Sequence, residues 1–443
     1  MPLRTLANPT NQTMPSIRHA ITRFTLFAAI ALPAISVSPI ARSAAPGSEG
    51  LSLQSSDWPW WRGAQRDGIV EGQSLPLRWS ETENIVWKSP IPGRGHGSPI
   101  IVGDRVLLAT ADKEKQSQHV LCLDRATGKE LWNSQIHKGG WQGRIHDRNT
   151  QASSTLASDG ERVFTVFMHD AKIWITALDL NGNTLWQDLA SDFASHWGYS
   201  TSPVIYDDLV IVASDHKEGG NLTAYDRKTG NRAWNVSRPA IPNYATPVVY
   251  NIDGKDQLLV PGCDLICSYD PKTGIEIWSI EATTRETIGS MVRNGNLLYA
   301  SGGYPKHETV CITASDSPEI VWISPIRVYA PSLLAHDGYL YAVTDNGLAH
   351  CWDGKNGALK WREKVGGSYS ASPVLVDGRI YVSSEQGETI VLNAKPDKFE
   401  LLAENQLGNE IWASPVVSDN HLFLRVAHTE GEKRSEAIYC IGE

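Results

Sequence analysis

The segment LCLDRATGKELW, residues 121–132, decides the fold because it keeps returning. TALDLNGNTLW (176–186), TAYDRKTGNRAW (223–234), CSYDPKTGIEIW (267–278) and HCWDGKNGALKW (350–361) repeat it, and CITASDSPEIVW (311–322) is an eroded copy. Each unit reads as a short alternating strand, an Asp, a turn ending in Gly, and a second strand closing on Trp. Asp124, Asp179, Asp226, Asp270 and Asp353 can bond backbone N–H groups two residues on. Gly128, Gly182, Gly230, Gly274 and Gly357 supply the positive φ of a tight turn. The second strand then pairs back as a hairpin.

A second motif alternates with the first. It reads SPII (98–101), SPVI (202–205), TPVV (246–249), PSLL (331–334), SPVL (372–375) and SPVV (414–417), with weaker copies SSTL (153–156) and GSMV (289–292). Pro99, Ser154, Pro203, Pro247, Ser290, Pro331, Pro373 and Pro415 mark intervals of 55, 49, 44, 43, 41, 42 and 42 residues. Eight units of about 45 residues, each worth four short strands, predict an all-β, eight-bladed β-propeller of four-stranded antiparallel blades. One blade cannot bury both faces, so the ring must close. Unit eight ends with YCIGE (439–443) and lacks an outer strand; LRWSETENIVW (77–87), ending in Trp87, has that strand's character. The N-terminal strand is therefore expected to complete the C-terminal blade.

The expected organisation is a signal peptide over 1–43, an N-terminal arm over 44–76 and the propeller over 77–443. Arg18 and Arg23 precede an apolar run from Phe24 to Val37, followed by the small residues Ala41, Ser43, Ala44 and Ala45. The run is too short for a permanent membrane span, and no Cys near the expected cut offers a lipid-attachment point. The expected product is an exported monomer, periplasmic or extracellular, not lipid-anchored and without a transmembrane span. Loss of the four arginines in residues 1–43 takes the formal charge from −9 to −13, which argues against nucleic acid as a partner. The aromatic stretch WPWWRGAQRDG (58–68) is expected to pack on the rim or underside of the ring.

The repeats resemble those of the quinoprotein-like propellers, the PQQ-repeat family with the tryptophan-docking pattern Ala-x-Asp-x-x-x-Gly-x-x-x-Trp. Ala224, Asp226, Gly230 and Trp234 match it fully. Units ending at Trp132 and Trp361 carry Cys in the Ala slot, and the unit ending at Trp278 carries Ser. The resemblance covers 58–443 and implies docking roles for Trp87, Trp132, Trp186, Trp234, Trp278, Trp322 and Trp361. It also implies two functions. The BamB-like branch, similar to the propeller subunit of outer-membrane β-barrel assembly, binds proteins without chemistry. The other branch comprises periplasmic alcohol or sugar dehydrogenases that hold PQQ and calcium. Those enzymes carry adjacent cysteines and long inserted loops; this chain has no Cys-Cys pair and short connections. The expectation is a non-catalytic binding scaffold for an envelope protein or small ligand, with no metal site and no cofactor; the alternative is a PQQ-dependent oxidoreductase using Arg94, Arg144 or Arg148 for the quinone carboxylates. A carbohydrate- or polymer-binding protein is a third possibility.

Candidate binding residues lie on the loops before the inner strands, around one mouth of the channel. They are Arg94 and His96; Arg144, His146 and Arg148; His196, Trp197 and Tyr199; and Tyr244, Tyr329, Tyr369 and Trp412. Aromatic and cationic groups around a concavity suit an extended peptide, a planar ring or an acidic small molecule. GGWQGRIHDRNTQ (139–151) is the least repeat-like connection, and insertions on a propeller tend to mark its working face. His146 beside Asp147 lacks a nucleophile at motif spacing, and neither GxSxG nor HExxH occurs. GRGHG (93–97) leads into a strand rather than a helix, so it is no phosphate loop. Cys122, Cys351 and Cys440 occupy equivalent slots in separate blades and read as packing residues. Cys263 and Cys267 flank a short turn, where a local bridge and free thiols are both open readings.

Overall fold

The structure, a computed structural model, describes residues 45–141, 145–195 and 197–443. The expected signal segment, Arg144 and His196 lie outside the described residues. Eight sheets follow one another around the ring. Blade 1 is built from Ile100–Val102, Arg105–Asp112, Ser117–Asp124 and Glu130–Lys138, ordered from inner to outer strand. Blades 2 to 7 repeat that order over 157–192, 204–238, 248–281, 292–324, 334–364 and 374–406. The middle strands are almost wholly buried, whereas each outer strand alternates exposed and covered residues. That pattern follows from blades that stack face to face and leave one edge in water.

Blade 8 closes the ring as expected, with one shift of boundary. Its outer strand is Ile85–Ile91, which pairs with Lys433–Ile441 and sets Trp87 opposite Cys440. Only the last three residues of the 77–87 segment join that strand. The chain turns through Ser80 to Asn84, where Asn84 takes a φ of 58°, and Trp79 stacks on Tyr381 of blade 7. Blade 7 also gains a fifth, parallel strand from the arm, Ile69–Val70 against Val374–Val376.

Two sets of contacts join neighbouring blades. At the periphery, the indole N–H groups of Trp87, Trp132, Trp186, Trp234, Trp322 and Trp361 donate to Arg125, Leu180, Arg227, Pro271, Gly354 and Lys395 carbonyls of the next blade. Trp278 differs: its N–H goes to Gln257 Oε1 of its own blade. Its neighbour is the eroded repeat, which places Pro318 where the other turns carry Gly.

The turn glycines explain why the repeat demands them. A Cβ on Gly230, at φ +75°, would stand 2.6 Å from the Trp186 ring, whereas one on Gly378, at φ +76°, would meet nothing within 4 Å. Both alanine variants carry the same backbone strain of about 1 kcal/mol. Gly230→Ala should therefore lose roughly 2 kcal/mol more than Gly378→Ala through the clash. Urea unfolding of the two proteins measures this; equal losses would rule out the packing role.

At the channel, hydroxyl groups do the joining. Backbone N–H groups of Ser98, Thr155 and Ser202 donate to Thr155, Ser202 and Thr246 side-chain oxygens. Ser290, Ser332 and Ser372 donate likewise to Ser332, Ser372 and Ser414. Ser290 Oγ to the Thr246 carbonyl and Ser98 Oγ to the Ser414 carbonyl complete the circle. The Ser or Thr at each inner-strand start thus links blade to blade at every junction, which gives the Ser-Pro motif a physical reason.

All six cysteines are free and buried. Cys263 sits in the turn itself at φ 62°, and Cys267 lies along the following strand opposite Val260. The open question over this pair therefore resolves to free thiols. Among the described residues no helix is long and apolar enough to cross a membrane.

Candidate functional site

The arm crosses the ring, reaching the starts of inner strands in blades 3, 5, 6 and 7, and contributes Trp61 to the cavity in the channel. Trp61 lines the cavity floor and its indole N–H donates to Ser290 Oγ at 3.0 Å. Arg62 is fully buried beneath it, donating to Pro373, Asp67 and Leu333 carbonyls of 2.9, 2.5 and 2.9 Å. Arg66 reaches the Ile205 carbonyl at 2.6 Å and lies 4.4 Å from the Trp60 ring. Burial pulls both guanidinium groups down to about 10, against opposing carboxylate and tyrosine fields. They stay charged at neutral pH, and their five-donor forks suit the strand-end carbonyls that a propeller leaves unpaired there.

The cavity above has a volume of about 770 Å³. Of the expected mouth residues it gathers His96, His146, Arg148, Trp197, Tyr244, Tyr329 and Trp412. Loops 145–150 and 197–200 are tied together by Asn149 Nδ2 donating to the Trp197 carbonyl, and His146 lies 4.6 Å from the Trp197 ring. His96 stacks on Trp412 at 4.7 Å and 8°, and Trp412 donates to Glu410 Oε1 at 2.6 Å. Burial, then the fields of Arg94, Arg425 and Arg434, hold the His96 imidazole well below its ordinary pKa, so it is neutral. Burial opposes ionisation of Glu410, but hydrogen bonds from Arg434 and Trp412 outweigh it and hold that carboxyl below the usual range.

Three expected residues stand elsewhere. Arg94 packs behind His96 and faces Glu410 at 3.7 Å rather than the cavity. Tyr199 is buried between blades, donating to the Ala213 carbonyl at 2.8 Å and lying edge-on to Phe193. Tyr369 is fully buried in the core shared by blades 6 and 7. Both tyrosines join apolar clusters shared by adjacent blades instead of the cavity wall.

The sequence reading missed Trp61, Glu286, Tyr304, Arg327 and Asp345, all of which line the cavity. Glu286 and Arg327 lie on the same pre-strand loops, so counting every polar residue before the hydroxyl motif would have found them. Tyr329 donates to Glu286 Oε2 at 3.2 Å. Asp345 accepts the N–H groups of Tyr329 and Ala330, which fixes that loop. Arg148, from the loop before blade 2, reaches Glu385 of blade 7 at 3.2 Å and so spans part of the mouth.

These commitments bear on the quinone alternative. Arg148 is held by Glu385, Arg94 is turned to Glu410, and Asp345 serves as a loop acceptor. Among the described residues no three His, Cys, Asp or Glu side chains gather as metal ligands. Among the described residues, the groups expected to hold a quinone and its calcium are therefore turned to other partners.

An eight-bladed ring whose repeat tryptophans dock on turn carbonyls of the next blade is a propeller of the quinoprotein-like class. The profile of the family described as outer membrane protein assembly factor BamB matches residues 77–188, 116–363 and 321–398, and the chain belongs to that family. It is 24% identical over 328 residues to the outer membrane protein assembly factor BamB of Moranella endobia (strain PCIT), covering 70% of this chain and 79% of that one. Against the protein of the same name from Yersinia pestis it is 21% identical, over 69% of this chain and 66% of that one. Among solved structures, BamB from Moraxella catarrhalis superposes with a TM-score of 0.58 at 15% identity, covering 80% of this chain and 99% of that one. A europium-containing methanol dehydrogenase gives 0.61 at 13% identity, over 85% and 90%. Both likenesses establish the fold alone.

Proposed function

We propose that this chain is an exported, monomeric propeller that binds envelope proteins as a scaffold in outer-membrane assembly, without lipid anchor, cofactor or chemistry of its own. The reading draws on the family, whose relatives in Moranella endobia and Yersinia pestis carry the name outer membrane protein assembly factor. The observation that carries it is the rim: Trp197 and Tyr304 are 42% and 55% exposed beside the cavity. Large aromatic side chains held in water at a concave surface are typical anchors of protein recognition. Arg148 is paired with Glu385 and Glu286 accepts from the Tyr329 hydroxyl, so these mouth groups favour orientation over strong steering.

A photo-crosslinking side chain placed at Trp197 or Tyr304 tests this in intact envelopes. Adducts with outer-membrane assembly proteins are expected from both sites, and none from Lys360 on the outer edge of blade 6. Adducts only from Lys360 would sink the mouth as the binding surface. Adducts with no assembly protein from any site would sink the scaffold role.

A further inference from the structure

The cavity has a composition that a protein-docking rim alone does not require. An eight-blade ring sets blade 8 opposite blade 4 and blade 1 opposite blade 5. The Trp412–His96 stack on one wall therefore faces a polar wall of Tyr244, Glu286 and Tyr329 on the other. Beneath them lie the Trp61 indole and the hydroxyl circle, of which Thr155, Ser202, Thr246 and Ser414 line the space. A volume near 770 Å³ is in the range of small-molecule pockets.

Charge selects among ligand classes. Each charged group on the lining is already engaged: Arg148 by Glu385, Arg327 by the Tyr329 ring, Glu286 by the Tyr329 hydroxyl and Asp345 by two backbone N–H groups, while His96 is neutral. An anion or a cation gains little from such a wall. A wholly apolar ligand would desolvate the Glu286 carboxylate and the Ser and Thr hydroxyls without replacing their hydrogen bonds, which is unfavourable. A molecule with flat C–H faces and a rim of hydroxyl groups meets both needs. Its faces lie on indole and phenol rings, and its rim gives and takes hydrogen bonds at carboxylate, hydroxyl and amide groups.

We propose that the channel cavity is a binding site for a short neutral saccharide, seated on Trp412 and Trp61 with its hydroxyl edge toward Glu286 and Tyr329. The proposal rests on the mouth being a binding surface, but not on any protein partner. Its occupant is either an N-acetylhexosamine chain of cell-wall type or a free glucan, which share the chemistry just described.

The test uses the exported full chain, titrated with chitotriose and separately with maltotriose, followed by intrinsic tryptophan fluorescence and saturation-transfer NMR. Saturable binding of either sugar is expected, and the one that binds identifies the source. Trp412→Ala should weaken it about tenfold or more, Trp412→Phe should retain most of it, and Glu286→Gln should weaken it with an unchanged melting temperature. Should Trp412→Ala fail to fold, Trp412→Phe and Glu286→Gln carry the test. Binding of neither sugar, or binding unaffected by both of those latter variants and by Trp412→Ala where it folds, overturns the proposal. The crosslinks expected in envelopes are read independently, so either result can fail without the other.

Discussion

Replacing Glu436 by alanine should cost about 3–5 kcal/mol of stability, because it strips the counter-charge from a buried arginine. Glu436 and Arg425 are 3% exposed each, and Arg425 Nε donates to Glu436 Oε2 at 2.7 Å. Arg425 also donates to the Ala109 carbonyl at 2.8 Å and the Gly97 carbonyl at 3.3 Å, both in the blade 1 region. Glu436 Oε1 accepts the Gly95 N–H and the Arg434 guanidinium. The pair therefore fastens the last blade to the first, which the chain itself joins only through the segment 92–99 that leads from the outer strand of blade 8 into blade 1. Glu436→Ala leaves a desolvated guanidinium whose remaining acceptors are neutral carbonyls. Lys115→Ala is the control: its pair with Asp112 is 3.0 Å but the lysine is 76% exposed, so the expected loss is within about 0.5 kcal/mol. Denaturant unfolding of both variants reads the contrast. A Glu436→Ala loss below about 1 kcal/mol would mean that the closure is held by the strand pairing of Ile85–Ile91 alone.

How far the sequence discloses this molecule depends on which contacts are local. The Asp-turn-Gly-strand-Trp unit is a hairpin with its own docking residue, so its chemistry is complete within a dozen positions and repetition announces the propeller. Ring closure was readable for the same reason, since a blade missing its outer strand leaves a visible deficit. The cavity was less readable. Trp412, Tyr244 and Tyr329 stood out as aromatic residues at one loop position, yet Tyr199 and Tyr369 at equivalent positions turn into the interblade core. Which way such a ring turns depends on how it packs against the neighbouring blade, which the residue's own neighbours in sequence do not set. Trp61 was hidden by distance: it belongs to a segment whose partners are Ser290 and the strand ends of blades 3, 6 and 7, more than a hundred residues away. The arm is aromatic and arginine-rich because it must cover apolar strand ends and satisfy their carbonyls at once.

Mild acid should weaken the fold well before the carboxylates titrate. His137, at the end of the outer strand of blade 1, is 8% exposed and stacked 4.4 Å from His169 of blade 2, with Phe167 and Trp174 alongside. Burial, and then the neighbouring His169, pull its pKa from 6.5 down to about 4. His350, packed 5.0 Å from Trp352, is likewise brought down to about 4, by burial first. A histidine whose folded pKa lies below its unfolded value binds fewer protons when folded, so its contribution is intact above pH 6.5 and declines as the pH falls toward 4. For His137 alone the linkage amounts to about 2 kcal/mol at pH 5 and about 3 kcal/mol below pH 4. Nε2 of His137 has no hydrogen-bond partner, so nothing in the blade receives the added proton favourably. His137→Phe keeps the stacking surface and removes the titration. Its stability, measured by urea unfolding, should fall less between pH 7 and 5 than that of the unaltered protein, by about 2 kcal/mol. Parallel pH profiles for the two would show that the imidazole titrates in the folded blade as it does in the unfolded chain, so that the stack carries no proton linkage.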